Sequence, residues 1–336
     1  MSEGRNGIIF AGNLIVDTVK FIDEWPKEMG LSPITAQGSA LGGLACNCAT
    51  DMAKLAPEVP LKVIGIVGND SLGDYVFQRF SEHPSIDTSS IIREGETSYT
   101  DVITTPNGQR TFFQFAGANK MLGSEHFDFS GSDAAILHIG YVFLLDKLDG
   151  PDPEYATGLC RVLDMASKAG ILTSIDFISE FGDRYVTIAK PALAYTDILS
   201  INDIESEGLT GIKLRDENGS LIRENLEPCA RMIASFGVRK WACVHMPEIA
   251  VGIDIESGAY IEKEPPDVPR SYIKSSVGAG DAFATGLLYG AYRGISLEKA
   301  IEEANAVATV SLAGVGASDS IRPLDDILLE MEKYIV

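Results

Sequence analysis

Cysteine is scarce here: five residues in a chain of 336, an odd set without metal-ligand spacing. Cys46 and Cys48 stand two apart in a stretch that reads as helix, where they would project in different directions. Small buried side chains of a reduced, cytoplasmic protein are therefore expected, and a disulfide framework is not. Basic residues are also few, 27 Lys and Arg against 48 Asp and Glu, leaving a net charge near −21. So negative a surface repels nucleic acid and anionic membrane, and neither is an expected partner. Any polyanionic ligand must be held by local backbone donors or a metal. No apolar run is long enough to span a bilayer, and the N-terminus lacks the charged, apolar and cleavable regions of a leader. No internal repeat or low-complexity tract stands out. What remains is a globular composition, 45% apolar and 22% charged, long enough for one large α/β domain or two ordinary ones.

The most informative stretch is Ser275-Ser276-Val277-Gly278-Ala279-Gly280-Asp281-Ala282-Phe283. Two glycines around an alanine let the backbone turn sharply and bring amides close to a ligand. Phe283, Leu287 and Ala291 then recur at helical spacing, with Gly286 and Gly290 on an adjoining stripe. A glycine-rich turn opening a helix leaves unpaired N–H groups at the positive end of the dipole, which is an anion site. Asp281 would share that place either as a capping or dipole residue, or as an acid whose task is to take a proton.

Along the chain, Gly7–Gly12 reads as a buried strand, with Asp17 just past an apolar run at a strand end. Gln37 to Asn47 contains the pair Gly42-Gly43 and Asn47, which supplies both a donor and an acceptor; a plain loop and helix start fits the same residues. Runs at 97–104 and 110–115 around Pro106-Asn107-Gly108 predict a hairpin. Strands are expected at 63–68, 134–139, 171–176 and 198–201, with helices between them, including one near 153–169. That rhythm implies a mainly parallel sheet with helices on both faces. Asn202 and Glu205 stand at a helix start with the spacing of a capping box, which spacing alone favours over the ordering of a metal's water shell. A last helix opens at Ser296 and carries Ala304, Asn305 and Ala308, with Gly314 as its stop.

The 275–283 stretch resembles the second signature of the ribokinase-like, or PfkB-type, carbohydrate kinases, and other family-like segments follow in order along nearly the whole chain. The resemblance implies a single ribokinase-like α/β domain over 1–336, with a small β lid from about 18–40 and 96–116. The apolar face of such a lid would be covered by substrate or by a second subunit, giving a homodimer through the lid. It implies an ATP- and Mg2+-dependent kinase acting on a hydroxyl of a small sugar. Asp281 would be the catalytic base and the amides of Gly278, Ala279 and Gly280 the anion hole. Asp17, Gly42, Gly43 and Asn47 would bind sugar hydroxyls, and Tyr141 sits where several relatives keep a substrate contact. Asn202 and Glu205 would serve Mg2+ and phosphate, the metal through water. His245, Asn305 and Gly316 fall at the nucleotide positions.

Several residues depart from the family pattern. Relatives often carry Asp-x-Asn-x-Arg where this chain has Asp176-Phe177-Ile178-Ser179-Glu180. His245–Ala250 replaces a glycine-rich phosphate loop, with Pro247 lacking an N–H and Glu248 bringing negative charge. Ser275 stands where relatives hold a monovalent cation with Asp, which speaks against potassium activation. Ser275-Ser276-Val277 looks more like the phosphofructokinase-type relatives, and a phosphosugar would want a cation, with Arg110 or Arg93 the candidates. The lysine that some relatives place after the glycine pair is here Leu44. A nucleoside kinase and a non-catalytic carbohydrate-binding protein on the same fold are the other readings.

Overall fold

The run Ile8–Gly12 (β1) is apolar or glycine throughout and buried at every position, as a central parallel strand must be. The computed structural model describes residues 4–334. In chain order it continues with β2 (Ile15–Ile22), β3 (Ile34–Gly42), α1 (Leu44–Leu55), β4 (Leu61–Val67), α2 (Ser71–Phe80), β5 (Ile86–Asp87), β6 (Ile91–Arg93), β7 (Tyr99–Thr104), β8 (Arg110–Phe115) and β9 (Ile136–Val142). After these come α3 (Asp146–Asp149), α4 (Gly158–Lys168), β10 (Leu172–Phe177), α5 (Lys190–Leu193), β11 (Ile198–Asn202), α6 (Asp203–Thr210) and α7 (Leu226–Ser235). The remainder is β12 (Trp241–His245), β13 (Ala250–Asp254), β14 (Tyr260–Lys263), α8 (Ala279–Arg293), α9 (Leu297–Ser311) and α10 (Leu324–Met331).

The large sheet runs β14-β13-β12-β11-β10-β9-β1-β4-β5, with β6 also on β4. It is parallel from β5 to β12 and antiparallel over its last two strands. From β1 the chain passes to β4 on one side and later to β9 on the other. The order therefore reverses at β1, and the crevice beyond the strands' C-terminal ends there is where such sheets bind ligands. One face is packed by α1, α8 and α9, the other by α4, α6 and α7, each around its own apolar cluster. The expected stripe of α8 is buried at Phe283, Leu287 and Ala291. A Cβ on Gly286 would lie 2.7 Å from the Ala304 Cα and one on Gly290 2.6 Å from the Ala300 Cβ, so the second stripe is what lets α9 pack close.

A separate four-stranded sheet runs β3-β2-β7-β8, and it brings Asp17 near enough to Asp281 for their charges to interact. It changes the reading of Asp17, which is the third residue of β2 and no strand-end turn. The alternation of Ile15–Ile22 continues the chain into a new strand, and this puts Asp17 on a sheet face. β9 likewise runs three residues beyond the expected Ile139, so Tyr141 lies inside the strand. The altered segment 245–250 is a tight reversal between antiparallel β12 and β13, closed by Met246 N–H donating to the Ile249 carbonyl at 2.9 Å. The backbone of a two-strand reversal needs no glycine-rich loop.

Candidate active site

Gly278 adopts φ +79°, and α8 begins immediately after it. Among the described residues no acceptor meets the N–H of Gly278, Gly280 or Asp281, whereas that of Ala279 donates to the Ser276 carbonyl at 3.3 Å. Of the amides expected to form an anion hole, those of Gly278 and Gly280 are free and that of Ala279 is engaged within the turn, while the neighbouring Asp281 amide is free as well.

The Asp281 side chain does not cap the helix. It turns inward, 3% exposed, and accepts from Asn47 Nδ2 at 2.7 Å and from the Tyr141 hydroxyl at 2.9 and 3.1 Å. Three segments separated by more than 90 residues each thus meet on one carboxylate. Burial raises its pKa to about 6, and the two hydrogen bonds hold it from rising further. Asp17 sits across the crevice on the inner face of the small sheet. Burial raises it to about 6 as well, with the Thr100 hydroxyl opposing that and the Asp281 charge adding to it. Gly42 leaves room for it: a Cβ there would stand 2.3 Å from Asp17 Oδ2 and displace the carboxylate. Gly43 has φ +81°, and a Cβ on it would meet the Asn13 carbonyl oxygen at 2.4 Å.

At the ends of β10 and β11 a second polar group forms. Asn202 and Glu205 make the capping box in full: the Asn202 side chain accepts from Glu205 N–H, and Glu205 Oε2 accepts from Asn202 N–H at 2.9 Å. The same pair also bonds outward through Ser179, whose hydroxyl donates to Glu205 Oε1 at 2.9 Å and accepts from Asn202 Nδ2 at 2.9 Å. Ser179 thus ties the Asn202 and Glu205 side chains together. Asp176, buried beside them, was not among the sequence candidates. Burial and the charges of Glu205 and Asp281 push its pKa well up, and burial raises Glu205 to about 7. A carboxylate at a strand's C-terminal end was the available signal.

His245 ends β12, its ring 4.9 Å from that of Phe283 and directly behind Gly280, whose added Cβ would meet it at 3.2 Å. Burial lowers it to about 4, so it stays neutral and walls the turn. Asn305 is buried, and its amide donates to the Lys263 carbonyl at 3.1 Å. The Gly316 N–H is taken by Asp319 Oδ2 at 2.7 Å. The negative charge expected from Glu248 is neutralised: its carboxylate is gripped by both terminal nitrogens of Arg215, at 3.0 and 2.9 Å. Cys46 and Cys48 are free and buried.

Asp51 of α1 is a further residue the sequence did not single out. It is fully buried with neither oxygen hydrogen-bonded. Burial pushes it up to about 8, and the nearby Ser318 and Lys54 side chains pull it only part of the way back. Below about pH 4 this acid is protonated in the folded and unfolded chain alike. Between pH 4 and 8 the unfolded chain ionises first, so Asp51 costs stability that grows with pH. Asp51→Asn is expected to match wild type in melting temperature at pH 4 and to gain on the order of a few kcal/mol by pH 8. A difference in melting temperature that does not change with pH would contradict this.

Comparison with known proteins agrees with the fold. A family model described as pfkB family carbohydrate kinase matches residues 12–323. The chain is 28% identical over 312 residues to an ATP-dependent ribose-1-phosphate kinase of Halopiger xanaduensis, covering 92% of this chain and 93% of that one. It is 25% identical to the ribokinase of Mus musculus, over 95% of this chain and 92% of the other. The solved structure of Arabidopsis thaliana ribokinase complexed with ribose and ATP superposes with a TM-score of 0.78 at 20% identity, covering 98% of this chain and 99% of that one.

Proposed function

The chain belongs to the pfkB family of carbohydrate kinases, and on that premise we propose that it transfers the γ-phosphoryl group of ATP to a hydroxyl of a small ribose- or fructose-like sugar, with Asp281 as the base. The observation that carries this is the Asp281 carboxylate, buried under a turn of free amides yet bonded only to side chains from β9 and α1. An acid there can take the acceptor's proton while the N–H groups of Gly278, Gly280 and Asp281 oppose charge growing on the phosphoryl oxygens. The transition state of phosphoryl transfer is loose, so positioning and charge stabilisation outweigh base strength. Asp17 orients the acceptor, since a carboxylate accepts from two hydroxyls and offers no competing donor. Asn47 and Tyr141 keep the base in place, and Gly42 and Gly43 let the sugar approach.

The oxygen donors at the ends of β10 and β11 suit Mg2+. Asp176 and Glu205 would hold it, their mutual repulsion being relieved by a cation. When bound, it neutralises charge on the nucleotide phosphates. The small residues of α9 and the 314–317 loop would leave room for the nucleoside end of ATP.

Acceptor-dependent ADP release, measured over pentoses, hexoses and their phosphates, tests the reading; no release at millimolar ATP and Mg2+ would sink it. A pH profile adds a sign. Asp281 and Asp17 are both raised to about 6; Asp281 must be ionised to take a proton, and Asp17 to accept from two hydroxyls while offering no donor. Activity is thus full above that value and lost as pH falls through it. We expect kcat/KM to drop below about pH 6 with a limiting slope approaching two, and with a slope of one in Asp17→Asn. A profile flat from pH 5 to 7 would count against Asp281 as base.

A further inference from the structure

The inner face of the small sheet holds an unclaimed cation. Cross-strand register aligns Asp17 with Thr100 and Thr100 with Gln114, and four residues along the same face aligns Thr104 with Arg110. Side chains alternate, so Asp17, Thr100, Thr104 and Arg110 share one face, the one turned toward Asp281. On the opposite face Lys20 is neutralised by Asp101 at 2.5 Å. Arg110 is half-buried and has no ion-pair or hydrogen-bond partner among the described residues. Its direct neighbour Thr104 is 6% exposed, and the Thr104 hydroxyl is buried without a partner. A guanidinium and a hydroxyl left unmatched side by side, in a chain of net charge −21, are oriented toward something that accepts hydrogen bonds and carries negative charge.

We propose that Arg110 and Thr104 form an anion subsite at the end of the acceptor cleft remote from Asp281, and that the acceptor is a monosaccharide already bearing a phosphate. The proposal rests on Asp17 and Asp281 being the acceptor-side groups. Strands about 4.8 Å apart rising about 3.3 Å per residue put the Arg110 and Asp17 Cα atoms roughly 16 Å apart. Two extended side chains narrow that gap to the span of one sugar and its phosphate. Arg110 also acts on Asp17 directly: burial raises that carboxyl, and the Arg110 charge is among the influences pulling it back. The other candidate cation, Arg93, is spent elsewhere, on Asp74 at 2.7 Å and over the Phe77 ring at 4.6 Å. Leu44, where some relatives place lysine, is fully buried. A phosphate beside Asp17 would be repelled without a local cation, and the fork of an arginine matches its oxygens.

ADP release should be measured with ribose, fructose, ribose 1-phosphate, ribose 5-phosphate and fructose 6-phosphate, for wild type, Arg110→Gln, Arg110→Lys and Thr104→Val. A phosphorylated acceptor is expected to exceed its free sugar in kcat/KM. Assayed at pH 8, where Asp17 stays ionised with or without the Arg110 charge, Arg110→Gln should raise that acceptor's KM about 10- to 100-fold with kcat little changed, Arg110→Lys should recover part of the loss, and free-sugar KM should change far less. Free sugars preferred over all phosphates, with Arg110→Gln indifferent, would overturn the subsite and leave the kinase reading standing. If no acceptor releases ADP, the kinase reading fails instead, and calorimetry with the same sugar phosphates decides the subsite. Binding weakened by Arg110→Gln supports it; no binding to wild type overturns it.

Discussion

Asp281→Asn is expected to lower turnover by about 10²- to 10⁴-fold while the protein melts no lower than wild type at pH 7. The amide keeps the shape of the carboxylate but has no basicity. On the proposed mechanism the acceptor hydroxyl then has nowhere to send its proton, while the N–H groups of the turn stay free to meet the phosphoryl oxygens. Stability follows from burial. A carboxylate 3% exposed and raised to about 6 is held ionised at a cost above that pH, and the substitution removes that cost. Rates and melting should therefore move independently. Turnover within a few-fold of wild type would remove Asp281 from the chemistry, and a large fall in melting temperature would make it structural.

The second large effect is expected at Gly278. Its φ of +79° is a conformation that side chains resist, and an added Cβ would lie 2.5 Å from the Ala317 Cβ and 2.8 Å from its Cα. Gly278→Ala must therefore either push away the 314–317 loop or untwist the turn, and both displace the amides aimed at the phosphoryl group. A loss of about 10²- to 10³-fold in kcat is expected, the scale of deleting one such donor, with the acceptor's KM little changed because Asp17 stands on another sheet. Gly280→Ala is the control. Its backbone is not left-handed, and its Cβ would meet only the His245 ring at 3.2 Å, so a smaller loss is expected. Equal losses in the two variants would show that the turn responds to bulk anywhere and has no special geometry at Gly278.

Much of the architecture was legible in advance. Central strands such as Ile8–Gly12 are apolar on both faces and α8 repeats at helical spacing, so these elements declare themselves locally. The Gly278–Asp281 turn was legible too, since few residue combinations allow such a bend. The sequence did not reveal which way side chains turn. Asn202 and Glu205 have the spacing of a capping box, and the structure forms it while also bonding the same side chains to Ser179. Glu248 looked like a repulsive charge because its partner, Arg215, is 33 residues away. Asp51 reads as one polar residue on a helix, and only burial makes it an acid near pH 8.

By itself, then, the sequence determined the alternating strands and helices, the excess of negative charge and the glycine turn, because each is written in local periodicity, composition or backbone freedom. Tertiary structure alone decided that Asn47, Tyr141 and Asp281 converge, that Asp17 faces them from a second sheet, and that Arg110 looks inward along the same face. Hydrogen bonds across more than 100 residues and the parity of strand register leave no mark on any short stretch of chain.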